Sequence, residues 1–141
     1  TGLAEALDEL ARVAKRRSVC FVVSDFLFPA EAQVDRFASS LARASRRHDI
    51  VGLRVADPGE EALPDSGAPL VIEDPESGAS RVLAGGTRAR RRYTEIWNAA
   101  RARVDTAFRG SGCDLVDLRT DGSALAALTR FFRERRRRIH G

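Results

Sequence analysis

A chain of 141 residues can bury one real core and is short for two. It carries 24 basic and 20 acidic residues, for a net charge of +4, with Lys15 as its sole lysine. The two cysteines, Cys20 and Cys113, and the two histidines, His48 and His140, make neither a zinc motif nor a disulfide framework. Each cysteine lies beside apolar, strand-like residues and reads as a reduced thiol. No run is long and apolar enough for a membrane span and no leader-like segment opens the chain, so the expectation is a soluble, cytoplasmic domain.

Leu3, Leu7, Leu10 and Ala14 recur at spacings of three and four, which predicts an amphipathic helix over residues 3 to 17 that Thr1 could cap. Ser18 to Ser24 is a short, continuous apolar run of the kind that forms a strand covered on both faces, and Asp25 stands at its end. Pro29 suits the start of a second helix, with Val34, Phe37, Ala38, Leu41 and Ala42 on one face. Ile50 to Ala56 reads as a second buried strand, broken by Asp57-Pro58-Gly59.

Residues 57 to 69 hold three of the five prolines and read as a long loop. Leu70 to Glu73 and Ser80 to Leu83 flank Asp74-Pro-Glu-Ser-Gly78, the pattern of a β-hairpin. Tyr93, Ile96, Trp97, Ala100, Val104, Ala107 and Phe108 mark a long helix over 87 to 109, closed by Gly110 and Gly112. Cys113 to Leu118 predicts a third buried strand. Thr120-Asp-Gly-Ser123 then caps a last helix that frays into Arg135 to Arg138. Helix alternating with apolar strand implies a three-layer, Rossmann-like α/β domain: a parallel sheet with helices on both faces and the hairpin as an insertion. The chain reads as one unit over 1–141, with a basic tail at 135–141.

In such sheets ligands bind outside the carboxyl ends of the strands. Asp25, Asp57 and Asp121 all fall there, where a carboxylate can hold a hard cation or cap the next helix. Asp25 differs from the other two, since Pro29 and not Asp25 opens the following helix. There is no Walker A string, no Gly-x-Gly-x-x-Gly after a strand and no glycine-flanked nucleophile at Ser24. A hydrolase acting through Asp25 lacks a base, a second carboxylate and a phosphate loop, so the residues favour a non-enzymatic module.

Val22-Val-Ser-Asp-Phe26, preceded by Thr1-Gly-Leu-Ala-Glu-Ala-Leu7 and followed by Arg46-Arg-His-Asp-Ile-Val-Gly-Leu-Arg-Val-Ala-Asp-Pro58, resembles bacterial proteins carrying the domain of unknown function fifty-eight. The Glu73-Asp-Pro-Glu-Ser-Gly78 turn and the closing Leu118-Arg-Thr-Asp121 are similar as well. Those proteins resemble von Willebrand factor type A domains and are typically encoded beside MoxR-type AAA+ ATPases. The resemblance implies a protein-interaction module with a metal-ion-dependent adhesion site for Mg2+, in which Thr1 matches the second motif and Asp25 the third. The first motif, Asp-x-Ser-x-Ser, does not occur here. Magnesium is therefore expected only where an upstream segment supplies it, and the chain reads as a partial type A-like domain.

By the same resemblance a further strand would lie beside Ser18 to Ser24, and without it the edge at Val19, Phe21 and Val23 invites a homodimer. The alternative is a nucleic-acid binder using Arg88, Arg90, Arg91, Arg92 and Arg135 to Arg138. It is disfavoured because Tyr93 and Trp97, the only candidates for aromatics interleaved with those arginines, lie on the apolar stripe of their helix.

Overall fold

A computed structural model describes residues 2–28, 30–61, 70–73, 80–83 and 87–140, with side chains described for all of these except 60, 61, 70–73, 80–83, 89, 90, 139 and 140. The elements in chain order are α1 (Leu3–Val13), β1 (Val19–Ser24), α2 (Glu31–Ser45), β2 (Asp49–Ala56), α3 (Pro58–Glu61), β3 (Leu70–Glu73), β4 (Ser80–Leu83), α4 (Thr87–Gly110), β5 (Asp114–Arg119) and α5 (Ala124–His140). Three parallel strands form a sheet in the order β1-β2-β5, and β3 and β4 pair antiparallel as a separate hairpin. The expected α/β architecture is therefore present, with helices on both faces of the sheet.

The two faces are unequal. Alternate residues of β2 point to opposite sides, and Ile50 faces a core built with Leu7 of α1, Phe37 and Leu41 of α2, and Val104 and Phe108 of α4. At its centre Phe26, Phe37 and Phe108 touch one another, with ring centroids 5.3 to 5.8 Å apart. The opposite face is smaller: Val51 and Leu53 meet Phe131, with Leu128 of α5 alongside.

Several expectations shift. The first helix ends at Val13, four residues short, so Lys15, Arg16 and Arg17 are an exposed connection and not a last turn. Its N-cap is Gly2, with no side-chain cap, and Thr1 lies outside the described residues, as does Pro29. The second helix begins at Glu31 after Ala30. The start of the loop predicted from residue 57 is the short helix α3, while 62–69 fall outside the described residues. The last strand runs one residue later than predicted.

Two differences have a tertiary cause. β1 is not covered on both faces: Val19, Phe21 and Val23 are 58%, 48% and 60% exposed. β1 is an edge strand, and α5 lies mainly against β5. The last helix does not fray at Arg135 but continues to His140. Arg135 pairs with Asp49 and Arg138 Nη2 with Asp114 Oδ1 at 3.2 Å, which ties its final turns to the starts of β2 and β5.

Candidate functional site at the strand ends

β1 delivers Ser24 and Asp25 to the carboxyl edge of the sheet, and the chain then turns sharply. Asp25 Oδ1 accepts a hydrogen bond from the Leu27 amide at 3.0 Å and from Ser24 Oγ at 3.3 Å, while Ser24 Oγ accepts from the Phe26 amide at 3.0 Å. The turn forces Phe26 to φ 55°, the one positive φ at a non-glycine residue among those described. A bulky residue in this region is a genuine outlier, costing about 1–3 kcal/mol unless its surroundings impose it. Here they do, because the Phe26 ring is 3% exposed and wedged between Phe37 and Phe108.

The consequence is a fixed, exposed carboxylate. Among the described residues Asp25 Oδ2 accepts no hydrogen bond. Beside it a cavity of about 530 Å³ runs between the turn and the start of α1, lined by Gly2, Leu3, Ser24, Leu27, Gln33 and Arg36 among others.

The other strand-end carboxylates are already engaged. Asp57 Oδ1 accepts from the Gly59 amide at 2.7 Å, opening α3, and Oδ2 accepts from Thr120 Oγ1 at 3.1 Å, joining the ends of β2 and β5. Asp121 takes both Nε and Nη2 of Arg119, at 2.9 and 3.0 Å, and that hydrogen bond holds its carboxyl below the usual carboxylate range. Both are turn residues. Among the described residues no three His, Cys, Asp or Glu side chains converge as a metal site. The described donors thus offer a divalent cation one free carboxylate oxygen at Asp25, not a coordination sphere.

One polar cluster had no signal in the sequence. Arg54, in the middle of β2, is 5% exposed. Its Nε and Nη2 grip Asp117 of β5 at 2.6 and 3.1 Å, its Nη1 reaches Asp105 of α4 at 2.8 Å, and Arg101 Nη2 adds a second cation to Asp117 at 2.9 Å. Burial pushes the Asp117 carboxyl up, but the hydrogen bonds and charges of Arg54 and Arg101 outweigh it and hold the group below its usual value. These ion pairs join β2 to β5 and to α4.

The cysteines are free, and burial pushes both thiols up in pKa. They flank β2 on either side, roughly 9–10 Å apart at the usual strand spacing and beyond disulfide reach. The arginines proposed for nucleic acid do not form one surface. Arg88, Arg91 and Arg92 begin α4, a 24-residue helix about 36 Å long whose far end leads into β5. Arg135 to Arg138 lie at that far end, where Arg135 pairs with Asp49 and Asp114 and Arg138 with Asp114. The side chain of Arg90 is outside the described residues. Tyr93 and Trp97 stack on each other at 6.3 Å and are half-buried.

Fold and site together define a parallel-sheet α/β domain with a single unengaged carboxylate on a strained turn at its strand ends. The chain belongs to the family described as "Protein of unknown function DUF58", which it matches over residues 1–103. It is 36% identical over 135 residues to an uncharacterized protein of Mycobacterium tuberculosis and to one of Mycobacterium bovis, matching 96% of this chain and 41% of theirs. An uncharacterized protein of Mycobacterium avium is 34% identical over 135 residues, 76% of its length. The chain thus spans about two fifths of the tuberculosis and bovis relatives. No solved structure matches it.

Proposed function

We propose that this chain is a non-enzymatic interaction module that grips a protein partner through the strand-end surface around Asp25. The observation that carries this reading is the turn itself: an exposed carboxylate with a free oxygen, held by a backbone outlier that the core enforces. The type A-like resemblance at Val22 to Phe26 supplies the rest. In that reading Asp25 contributes one ligand to a Mg2+ shared with groups outside these 141 residues and with Thr1, and the partner is a MoxR-type AAA+ ATPase.

The test uses a version of the protein extended upstream. Calorimetry should detect Mg2+ binding by the extended protein and not by the 141-residue chain, and Asp25→Ala should abolish both that binding and capture of the ATPase. Capture undiminished by Asp25→Ala removes the metal-dependent reading.

Among the described residues β1 has a strand on one side only, and its exposed edge extends the proposal to a homodimer of the isolated chain. Light scattering should show mass rising with concentration, and Phe21→Lys should restore the monomer. A wild-type monomer at high concentration rules this out.

A further inference from the structure

Four of the five described helices, α1, α2, α4 and α5, end at the same pole of the molecule, the one where the strands begin. α1, α2 and α4 lead into β1, β2 and β5, and α5 returns from the opposite pole to place its last turns against Asp49 and Asp114. Three basic runs far apart in the chain are thereby gathered: Lys15-Arg-Arg17, Arg46-Arg47 and Arg135 to Arg138. Contacts confirm the gathering. The Asp49 amide donates to the Ser18 carbonyl at 2.8 Å, Arg47 Nη1 to the Ala11 carbonyl at 3.3 Å, and Arg135 meets both Asp49 and Asp114.

Cations at helix C-termini are the ordinary complement of the helix dipole, so their presence alone proves little. Their number decides the matter. Four helix ends contribute about half a negative charge each, and Asp49, Asp114 and the exposed Glu134 three more, against nine basic side chains. The pole remains strongly positive, and it lies apart from the other arginine cluster, Arg88, Arg91 and Arg92, at the far end of α4.

Apolar side chains stand among these cations. Val13, at the end of α1, is 62% exposed and Val19, at the start of β1, 58% exposed; the bare face continues along β1 and α5 through Phe21 and Phe132. A nucleic-acid backbone would gain nothing from Val13 and Val19. The boundary between phospholipid headgroups and acyl chains takes both parts at once: basic side chains beside anionic phosphates, and short apolar ones beneath them. No described helix is long and apolar enough to cross a membrane, and a contact of basic and short apolar side chains is one at the bilayer surface.

We propose that the pole where the strands begin docks on an anionic lipid bilayer, with Arg16, Arg17 and Arg46 against phosphates and Val13 and Val19 at the acyl boundary. This does not depend on the role given to Asp25. The test is sedimentation of the chain with phosphatidylglycerol-rich vesicles and with pure phosphatidylcholine vesicles over a range of salt. Binding should require the anionic lipid and fall as salt rises. Arg16→Gln/Arg17→Gln/Arg46→Gln should weaken it about a hundredfold. Val13→Ser/Val19→Ser should weaken it while leaving the salt dependence in place. Arg88→Gln/Arg91→Gln/Arg92→Gln, at the far end of α4, should leave it unchanged, and circular dichroism should show every variant folded. Equal binding to both vesicles, equal loss in the two arginine triples, or duplex DNA binding with vesicle binding indifferent to the valines would overturn the proposal.

Discussion

Arg54 and Asp117 face each other across β2 and β5 in register, and the guanidinium closes on the carboxylate through two hydrogen bonds. Arg54 is almost wholly buried while the Asp117 side chain is 48% exposed, so the pair is unequal: the cation depends on the anion more than the reverse. Asp117→Ala should destabilise the fold by about 2–3 kcal/mol, somewhat less than for a fully buried pair because Asp105 still reaches Arg54. Arg54→Leu combined with Asp117→Leu should recover most of that loss. Urea unfolding of the single and double variants measures both.

The same pair sets an acid limit. The folded-state pKa of Asp117 lies below its unfolded value, so its contribution is present in full above the unfolded carboxylate value of about 4 and is lost as pH falls through the folded one. Wild-type stability should fall over that acid range, and Asp117→Asn, less stable at neutral pH, should show a shallower fall. Thermal unfolding at a series of pH values compares the slopes.

Gly52 occupies the centre of β2 because a neighbour needs the space. A Cβ there would lie 2.4 Å from Phe108 Cζ and 2.8 Å from Leu115 Cδ1, inside any permitted contact. Phe108 is itself fixed between Phe26 and Phe37, so it cannot yield freely. Gly52→Ala should cost about 1–3 kcal/mol, visible as a lower urea midpoint with an unchanged slope.

His48 gives the opposite sign. It is 3% exposed, and among the described residues neither ring nitrogen meets a hydrogen-bond partner. Leaving a buried donor unsatisfied costs about 1–3 kcal/mol, so His48→Leu, close in volume and without polar atoms, should raise Tm by several degrees.

The sheet was legible in the sequence because parallel strands are written as unbroken apolar runs, and all three strands fall within a residue or so of the runs around Phe21, Val51 and Val116. The hairpin followed from Asp74 to Gly78 between two short β-rich segments, and Ser123 caps α5 as its position suggested, accepting from the Ala126 amide at 3.2 Å. Edge position was not legible: an apolar run looks alike whether or not a strand's outer face is covered, so the bare side of Val19 and Phe21 emerged only with the strand order. Arg54 was hidden for a related reason, since its partner Asp117 lies 63 residues away. Of the candidate site, the position of Asp25 could be read directly. That Asp57 and Asp121 serve turns also follows from their place before the next helix, and Asp121 binds Arg119 only two residues away; the Thr120 hydrogen bond to Asp57, across 63 residues, needed the tertiary structure.

Phe26 couples the Asp25 turn to the interior. Its backbone belongs to the turn and its ring to the aromatic cluster with Phe37 and Phe108, so Asp25 cannot change position by degrees without withdrawing that ring from the cluster. The turn therefore has the character of a latch, either seated or sprung. Its Leu27 amide, though at the surface, should exchange with deuterium only as often as the core opens.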